Sequence, residues 1–409
     1  MSILFCNPPH DTLVIGVQNI LSQIKILHFL FFTIEEEKLM KTLRWLFLVL
    51  CMSIGGVVFS ADKWVNPAPY PVGMDTWFGS YYNKTAQHDY RLRVGGWGDW
   101  YYTLLRFDLS GLPQNATNAY IWRYTINEGT PTDINWYRIG AQWHSGTVTS
   151  SNFPYASLTS LFWTSAPTPG YWYITNITSE YNQWRAGTGN LNYGLFLAPV
   201  SNNNNYSSFY SSTQGGGIGP WLQVTYTPQA DDNKIKLRWP LGTPYASRVV
   251  TQAFGVNWAG GSECPPGVIK KHSGTDFSAP IGTAVYAAED GVIKHVDAHP
   301  PWAYHIVLEH NHPQGGKYTT VYWHVTPASG ITAMNPPIFV PKGMQIATIA
   351  NLATGSHFHF GVRVGTYNNP VSGIGALPQS TCTDPDGTTY PGFPENFIDP
   401  NNINNVLFQ

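Results

Sequence analysis

The stretch His357-Phe-His-Phe-Gly-Val-Arg-Val364 alternates between two kinds of side chain along its length. Successive side chains of a β-strand point to opposite faces, so His357 and His359 lie on one face and Phe358 and Phe360 on the other. Aromatic side chains suit a core, whereas imidazoles are common zinc ligands. The pattern therefore predicts a strand that buries one face and carries half of a metal site on the other. Spacing alone does not distinguish His357 from His359 as the ligand.

A second group with metal-ligand chemistry is His272-Ser-Gly-Thr-Asp276. Ser, Gly and Thr are poor helix formers, so we expect its His and Asp to converge across a turn that leads into a strand. Each group alone can arise by chance, but together they supply three zinc ligands and leave a fourth position open, which is typical of catalytic zinc. The sequence contains neither an H-E-x-x-H motif nor the G-x-S-x-G elbow of a serine hydrolase.

The composition favours a β-rich, extracellular protein of more than one domain. The chain has 409 residues with 39 Gly and 31 Pro, and it is 15% aromatic but only 11% charged. Frequent Gly and Pro interrupt helices, and this length exceeds that of one ordinary domain. The formal net charge of -2 and the pI near 6.7 leave no basic surface for a nucleic acid, so no nucleic-acid partner is expected.

Residues 40–60 have the pattern of a secretory signal. Lys41 and Arg44 precede the apolar run 45–58, and the small residues Ser60-Ala61 follow it. A single spanning helix is the alternative, but the run is short for a bilayer. Residues 1–39 lie upstream of this signal, so we expect translation to start at Met40. The mature protein then begins near Ala61 and is secreted to the periplasm or the medium, with no stable membrane span.

Beyond residues 1–60, which hold the upstream segment and the signal, the sequence divides into two β-rich domains. Residues 61–228 contain short runs rich in Tyr, Trp, Val, Ile and Thr between turn residues, which predicts an antiparallel, jelly-roll-like β-sandwich. Residues 229–241 are predicted to form a linker, and residues 242–409 a compact antiparallel β-sheet domain that carries the metal site. Large aromatic residues dominate core burial, so tryptophans such as Trp97, Trp100 and Trp143 are expected mostly in the sandwich core.

Two cysteines remain after removal of the signal, Cys264 and Cys382. Neither belongs to a C-x-x-C pair, and an even pair in an oxidising compartment is more often a disulfide than a metal or catalytic site. We therefore predict a disulfide between Cys264 and Cys382.

Residues 254–400 resemble the lysostaphin-type, or LytM-like, family of zinc endopeptidases that hydrolyse peptidoglycan cross-bridges. The resemblance rests on Phe254-Gly255, on the segment 272–291 that begins with His272-Ser-Gly-Thr-Asp276, on Tyr322-Trp-His324, on Gly355-Ser-His-Phe-His-Phe360 and on Asp399-Pro400. It implies one zinc ion held by His272, Asp276 and His359. It also places His324 and His357 beside the metal-bound water as catalytic residues, with their individual roles open. The bond cleaved, in a pentaglycine-type bridge or in a direct D-alanine–diaminopimelate link, is also left open.

Residues 75–228 resemble the DNRLRE-type domain, a jelly-roll-like module of secreted bacterial proteins related to carbohydrate-binding modules. The resemblance rests on residues 104–113, on Tyr137-Arg-Ile-Gly with Trp143, on residues 192–197, and on residues 209–212 followed by Pro220-Trp-Leu-Gln-Val-Thr-Tyr-Thr-Pro228. The resemblance implies a fold more directly than a ligand, and binding to a cell-surface glycan is the partner it suggests.

Two non-enzymatic functions compete with the peptidase hypothesis. The protein could be a cell-wall-binding regulator that has lost catalysis, or a carbohydrate-binding adhesin. Retention of all five polar positions favours catalysis on peptidoglycan peptides, because clustered imidazoles and a carboxylate cost stability unless a metal compensates. The remaining histidines of this region are expected on loops or sheet surfaces: His295, His299, His305, His310 and His312.

Overall fold

The structure is a computed structural model that describes residues 60–67, 74–81, 89–201, 204–214, 217–258, 264, 267–333, 337–353, 355–368, 371–383, 387 and 389–409. Apart from Ser60, the predicted signal sequence lies outside these residues. Within them, no helix is both long enough and apolar enough to cross a bilayer. Nearly all regular structure is β, which confirms the predicted fold class.

The N-terminal part is an antiparallel β-sandwich with one helix. Its elements are β1 Ala61–Val65, β2 Asp75–Gly79, β3 Arg91–Gly95, β4 Tyr101–Leu105, β5 Asn118–Ile126, β6 Ile134–Arg138, β7 Thr159–Thr164, β8 Trp172–Asn176, α1 Thr178–Ala186, β9 Leu195–Pro199, β10 Tyr206–Tyr210 and β11 Trp221–Tyr226, with 3-10 turns at Tyr155–Ser157 and Ser212–Gln214. The strand order is β1-β11-β5-β10-β3-β4-β9-β6-β7, and β2 pairs with β4 and β8 with β5.

Alternating side chains build the core of this sandwich. Along β5 every second residue is buried, so that Ile121 faces inward while Trp122 and Tyr124 face outward. The expectation for the tryptophans holds only in part. Trp143 is buried in the core, whereas Trp97 is 66% exposed.

The C-terminal part is built around a ten-stranded antiparallel sheet in the order β13-β16-β23-β20-β19-β18-β21, to which β17, β22 and β27 add. Its strands are β12 Ile235–Leu237, β13 Val250–Gln252, β14 Asn257–Trp258, β15 Lys270–His272, β16 Thr275–Ser278, β17 Ala284–Tyr286, β18 Gly291–Ala298, β19 Tyr304–Asn311, β20 Lys317–Pro327, β21 Phe339–Val340, β22 Gln345–Ile349, β23 His357–Val364, β24 Ala376–Pro378, β25 Cys382–Thr383, β26 Thr389–Tyr390, β27 Phe397–Ile398 and β28 Val406–Phe408, with 3-10 turns at Tyr245–Ser247 and Val371–Gly373. The predicted alternation of β23 is present, because Phe358, Phe360 and Val362 lie in the core.

Part of the segment predicted as a linker packs into the C-terminal domain. Ile235–Leu237 pairs in parallel with Val406–Phe408, and Trp239 and Leu241 are buried in the same core. Cys264 and Cys382 form the predicted disulfide, which links segments 118 residues apart in the sequence.

The two domains meet through a polar interface that is buried from solvent. Arg185, at the end of α1, places two guanidinium nitrogens 2.6 and 3.1 Å from the Glu289 carboxylate, and Lys342 Nζ lies 3.8 Å from it. Asp290 accepts hydrogen bonds from the backbone of Leu109 and from Asn192 across the same interface. Because buried polar groups of each domain depend on partners in the other, the interface fixes how the domains are joined.

Candidate functional site

Strands β16 and β23 are neighbours, and their register places Asp276 directly opposite His359. The turn before β16 brings His272 back to the same point. Gly274 occupies this turn, and a Cβ there would lie 2.6 Å from the His359 ring, so the close approach requires glycine. The turn that was predicted from His272-Ser-Gly-Thr-Asp276 is therefore the element that closes the site.

Three potential ligand atoms converge at this point. His272 Nε2 lies 2.8 Å from His359 Nδ1 and 3.1 Å from Asp276 Oδ1, and His359 Nδ1 lies 3.0 Å from the same carboxylate oxygen. All three residues are buried. Three atoms that carry lone pairs repel one another at such distances unless protons or a cation lie between them. The donor set, two imidazoles and one carboxylate, is one that zinc prefers, so these residues fit a zinc ion.

The electrostatics of the cluster favour the protonation states that bind a metal. Burial raises the pKa of the Asp276 carboxyl, but hydrogen bonds with His272 and His359 outweigh burial and hold the pKa well below its usual range. Burial lowers the pKa of His359. Ionised carboxylates and neutral imidazoles are the forms that coordinate metals, so little proton release is needed for binding.

Two further imidazoles, those of His324 and His357, stand beside the cluster with their ring centroids 4.3 Å apart. His324 Nδ1 donates to the carbonyl of Trp302 at 3.0 Å, and His357 Nδ1 donates to the carbonyl of Gly355 at 3.1 Å. These hydrogen bonds fix the tautomer of each neutral ring with an unprotonated Nε2. Both rings therefore offer an Nε2 that can accept a proton.

His324 adopts an uncommon backbone conformation, with φ at +64°. Residues other than glycine are rare in this region, and the strain is often found at functional sites. Its pKa is lowered to about 3, first by burial and then by the neighbouring His357 and His359.

The five residues predicted from the sequence thus lie in one cleft. Its walls also include Lys270, Trp258, Trp302, Tyr390 and His299. The prediction had placed His299 outside the site, and it had expected His310 on a loop or sheet surface. His310 is instead fully buried, between the Asp290 carbonyl and the Thr320 hydroxyl. No motif in the sequence marks Trp302 or Lys270. Trp302 acts through its backbone carbonyl, which every residue has, and Lys270 is a single lysine outside any motif.

The cleft of this antiparallel β domain thus holds a buried His-Asp-His cluster and two adjacent imidazoles. This arrangement is typical of proteins that hold a metal ion at a reaction site. Comparison with known families specifies the class. Residues 270–372 match Peptidase family M23 and residues 74–226 match carbohydrate-binding module family 96. The chain therefore carries a C-terminal M23, or LytM-like, peptidase domain and an N-terminal carbohydrate-binding module, which confirms both resemblances.

Curated relatives share the peptidase region. Peptidoglycan DD-endopeptidase ShyB of Vibrio cholerae is 35% identical over 112 residues, which cover 27% of this chain and 24% of that protein. Peptidoglycan DD-endopeptidase ShyA of the same organism is 33% identical over 94 residues, covering 22% and 20%. The chain thus spans about a quarter or less of the length of these relatives.

Solved structures that are similar to part of this chain give low TM-scores. The catalytic domain of lysostaphin from Staphylococcus simulans is 21% identical, covers 33% of this chain and 90% of that domain, and superposes with a TM-score of 0.24. A zinc-containing peptidase from Vibrio cholerae is 25% identical and covers 40% of this chain and 49% of that one, with a TM-score of 0.24.

Proposed function

We propose that the protein is an exported zinc endopeptidase that hydrolyses peptide cross-links of bacterial peptidoglycan. The observation that carries the proposal is the convergence of His272, Asp276 and His359, with ligand atoms no more than 3.1 Å apart, beside the imidazoles of His324 and His357. The M23 match of the same residues and the names of its relatives supply the substrate class.

Each residue has a defined part in this mechanism. His272, Asp276 and His359 would hold the zinc ion. Bound zinc supplies a Lewis acid that acidifies water and polarises a peptide carbonyl. Between them, His324 and His357 would accept a proton from the attacking water and donate a proton to the leaving amine, so that one proton moves from the water to the amine. Their Nδ1 hydrogen bonds to Trp302 and Gly355 hold the rings in place for these transfers.

The experiment is digestion of purified peptidoglycan by the mature protein, with zinc, with a chelator and with the variant His359→Ala. We expect soluble fragments only from the zinc-loaded wild type, with masses that identify the cleaved bond. Zinc content is measured on the same samples, and His359→Ala should bind zinc weakly while remaining folded. If the wild type binds zinc and cell walls but releases nothing, the regulator or adhesin hypothesis replaces the enzyme.

The charge of the cleft bears on which bond is cut. Lys270 and His272 lie two residues apart on β15, so their side chains share the cleft face, and Lys270 Nζ is 5.9 Å from the ring of Trp258. A direct D-alanine–diaminopimelate link carries a carboxylate on the carbon bonded to the scissile nitrogen, whereas a pentaglycine bridge carries none there. An ammonium group beside the metal ligands attracts such a carboxylate. Within the proposed function, we therefore favour the direct link as the substrate.

A chemical comparison tests this choice. Two cross-linked peptides are used that differ only in whether the diaminopimelate carboxylate is free or amidated. The wild type should cleave the free acid about tenfold better, through KM, and Lys270→Met should lose that preference. Lys271→Met is the matched control, because its ammonium points to Asn257 and away from the cleft. Equal cleavage of both peptides by the wild type would contradict the role of Lys270 and leave the peptidase activity intact.

A further inference from the structure

Trp323 lies in the proposed active-site cleft but has no part in the chemistry assigned above. Its strand β20 pairs with β23, and the register places Trp323 directly opposite His359. Side chains that face each other across two strands lie on the same side of the sheet, so the indole shares the face of the metal cluster. The centroids of the Trp323 and His359 rings are 5.9 Å apart, and the rings meet edge to face at 78°. The indole is therefore a direct neighbour of a proposed zinc ligand.

The next residue along the chain, His324, is the extra residue of a β-bulge. Trp323 pairs with His305 and Val325 pairs with Tyr304, so that no residue of β19 lies opposite His324. In a regular strand neighbouring side chains point to opposite faces, which would direct His324 away from the cleft. The bulge and the φ of +64° turn the side chain back to the cleft. Its ring there lies 5.4 Å from that of Trp323, with an angle of only 20° between the two planes.

A single hydrogen bond does not fix the orientation of the His324 ring. The bond from Nδ1 to the Trp302 carbonyl, at 3.0 Å, holds one atom of the ring. Rotation of an imidazole about its last side-chain bond is soft, so the plane of the ring must be set by packing. The nearly parallel indole of Trp323 supplies a flat surface against this ring. The ring is therefore held at one atom by a hydrogen bond and along its plane by the indole.

The indole is itself fixed on its other sides. Its six-membered ring packs against the backbone of Gly375, where an added Cβ would lie 2.5 Å from the ring. The rings of His305 and His299 lie 5.5 and 5.7 Å away. In the part of the chain that the structure describes, the buried indole nitrogen has no hydrogen-bond partner. The contribution of Trp323 is therefore packing, and a closely packed side chain transmits a displacement to its neighbours.

We propose that Trp323 is a positioning residue of the active site, whose indole holds the His324 ring in the orientation that proton transfer requires. The inference rests on the proposed peptidase function and adds to it a residue that acts through His324 and not on the substrate. Misplacing a catalytic group by about 1 Å can lower a rate about 10²-fold, so loss of this packing acts on kcat. A residue that only binds substrate acts on KM.

The kinetic test uses the mature full-length protein, saturated with zinc, and a soluble cross-linked peptide. Trp323→Leu should lower kcat about 10–100-fold while KM stays within about threefold of the wild-type value. Trp323→Phe restores an aromatic plane and should recover most of the loss. Trp258→Leu is the matched control, because it removes an indole of the same cleft that, among the described residues, has no ring contact with a histidine. Its effect should fall on KM.

Gly375→Ala tests the packing from the other side of the indole. The added Cβ displaces the indole, so kcat should fall about tenfold when Trp323 is present. In the Trp323→Leu background no indole is left to displace, and the same substitution should have no further effect, because changes that act through one contact are not additive. Equal effects of Gly375→Ala in both backgrounds would contradict the proposal, as would a Trp323→Leu variant that changes KM alone.

A measurement without turnover separates this proposal from the proposed function. In full-length protein with isotope-labelled histidine, NMR should show the Nδ1–H signal of His324, assigned by its absence in His324→Ala. The signal should persist in Trp323→Phe and be lost through exchange with water in Trp323→Leu, and an unchanged signal in Trp323→Leu would overturn the positioning role. If the wild type cleaves no peptide but the signal follows this pattern, the peptidase function is wrong and the packing role of Trp323 stands.

Discussion

The substitution Glu289→Gln removes the only carboxylate that contacts both Arg185 and Lys342 in the described domain interface. The side chains of all three residues are 2% exposed. Glutamine keeps the size of the residue, but it replaces one acceptor oxygen by an NH2 donor and removes the charge. Two cations are then left in a buried site, and Arg185 keeps an acceptor for only one of its two hydrogen bonds, which are 2.6 and 3.1 Å long.

The expected loss of stability follows from these distances. At an effective dielectric constant of about 20, a pair of unit charges near 4 Å is worth about 4 kcal/mol, and breaking a buried pair costs about 3–5 kcal/mol in practice. The neighbouring Asp290 still attracts Arg185, which keeps the estimate within that range. With an m-value of about 2–3 kcal/mol/M in urea, the midpoint should fall by about 1–2 M.

Urea unfolding followed by tryptophan fluorescence measures this shift. The matched control is Asp231→Asn, which removes a solvent-exposed pair with Lys234 at the same distance of 2.6 Å and should leave the midpoint unchanged. The triple variant Arg185→Met, Glu289→Leu, Lys342→Met should recover most of the loss, because apolar side chains can replace a buried ion pair. A shift for Glu289→Gln no larger than that of the control would refute the reasoning.

Three further predictions concern the site, the pH dependence and the disulfide. His324→Ala should still bind zinc, but its kcat should fall about 10²–10⁴-fold, as expected for removal of a proton-transferring group. If this variant instead loses its bound zinc, His324 is a metal ligand and not a proton-transferring residue. Burial and the facing Asp290 raise the pKa of Asp108 to about 7, and burial and Glu289 raise that of Asp290 to about 6. At pH values between about 5 and 7, the native state therefore holds protons that the unfolded state has released, so the melting temperature should fall as pH rises from about 5 to 7.5. Asp108→Asn should make the melting temperature depend less steeply on pH, and an unchanged dependence would contradict this assignment. Replacing both Cys264 and Cys382 by Ser should lower the free energy of unfolding by about 2–5 kcal/mol, and detection of two free thiols in the folded wild type would contradict the bridge.

Local pattern was sufficient for the parts of the site that depend on chain geometry. The alternation of residues 357–364 predicted the strand and its buried phenylalanine face, because a strand has a period of two. The Ser-Gly-Thr sequence predicted the turn that joins His272 to Asp276, because its residues disfavour a helix. The ligand set and the places of His324 and His357 beside it came from the family resemblance, and the structure brings all five residues together in one cleft.

Other features depend on which strands become neighbours. His357 and His359 share a face of β23, and only the register with β16 places His359, rather than His357, at the point where Asp276 and His272 converge. The carbonyl of Trp302 that orients His324 cannot be recognised from residue type, since every residue has a carbonyl. The segment Ile235–Leu237 is predicted to belong to a linker because of its polar surroundings, yet it is a strand that pairs with the end of the chain.

The sequence by itself determined the β class, the presence of two β-rich domains and the residue types able to hold a metal, since these follow from periodicity, composition and side-chain chemistry. Only the tertiary structure decided that Arg185, Glu289 and Lys342 form a buried interface, and that the indole of Trp323 contacts both His324 and His359. The physical reason is that burial and contact are set by pairings between distant segments. An isolated charged or aromatic residue carries no record of its partner.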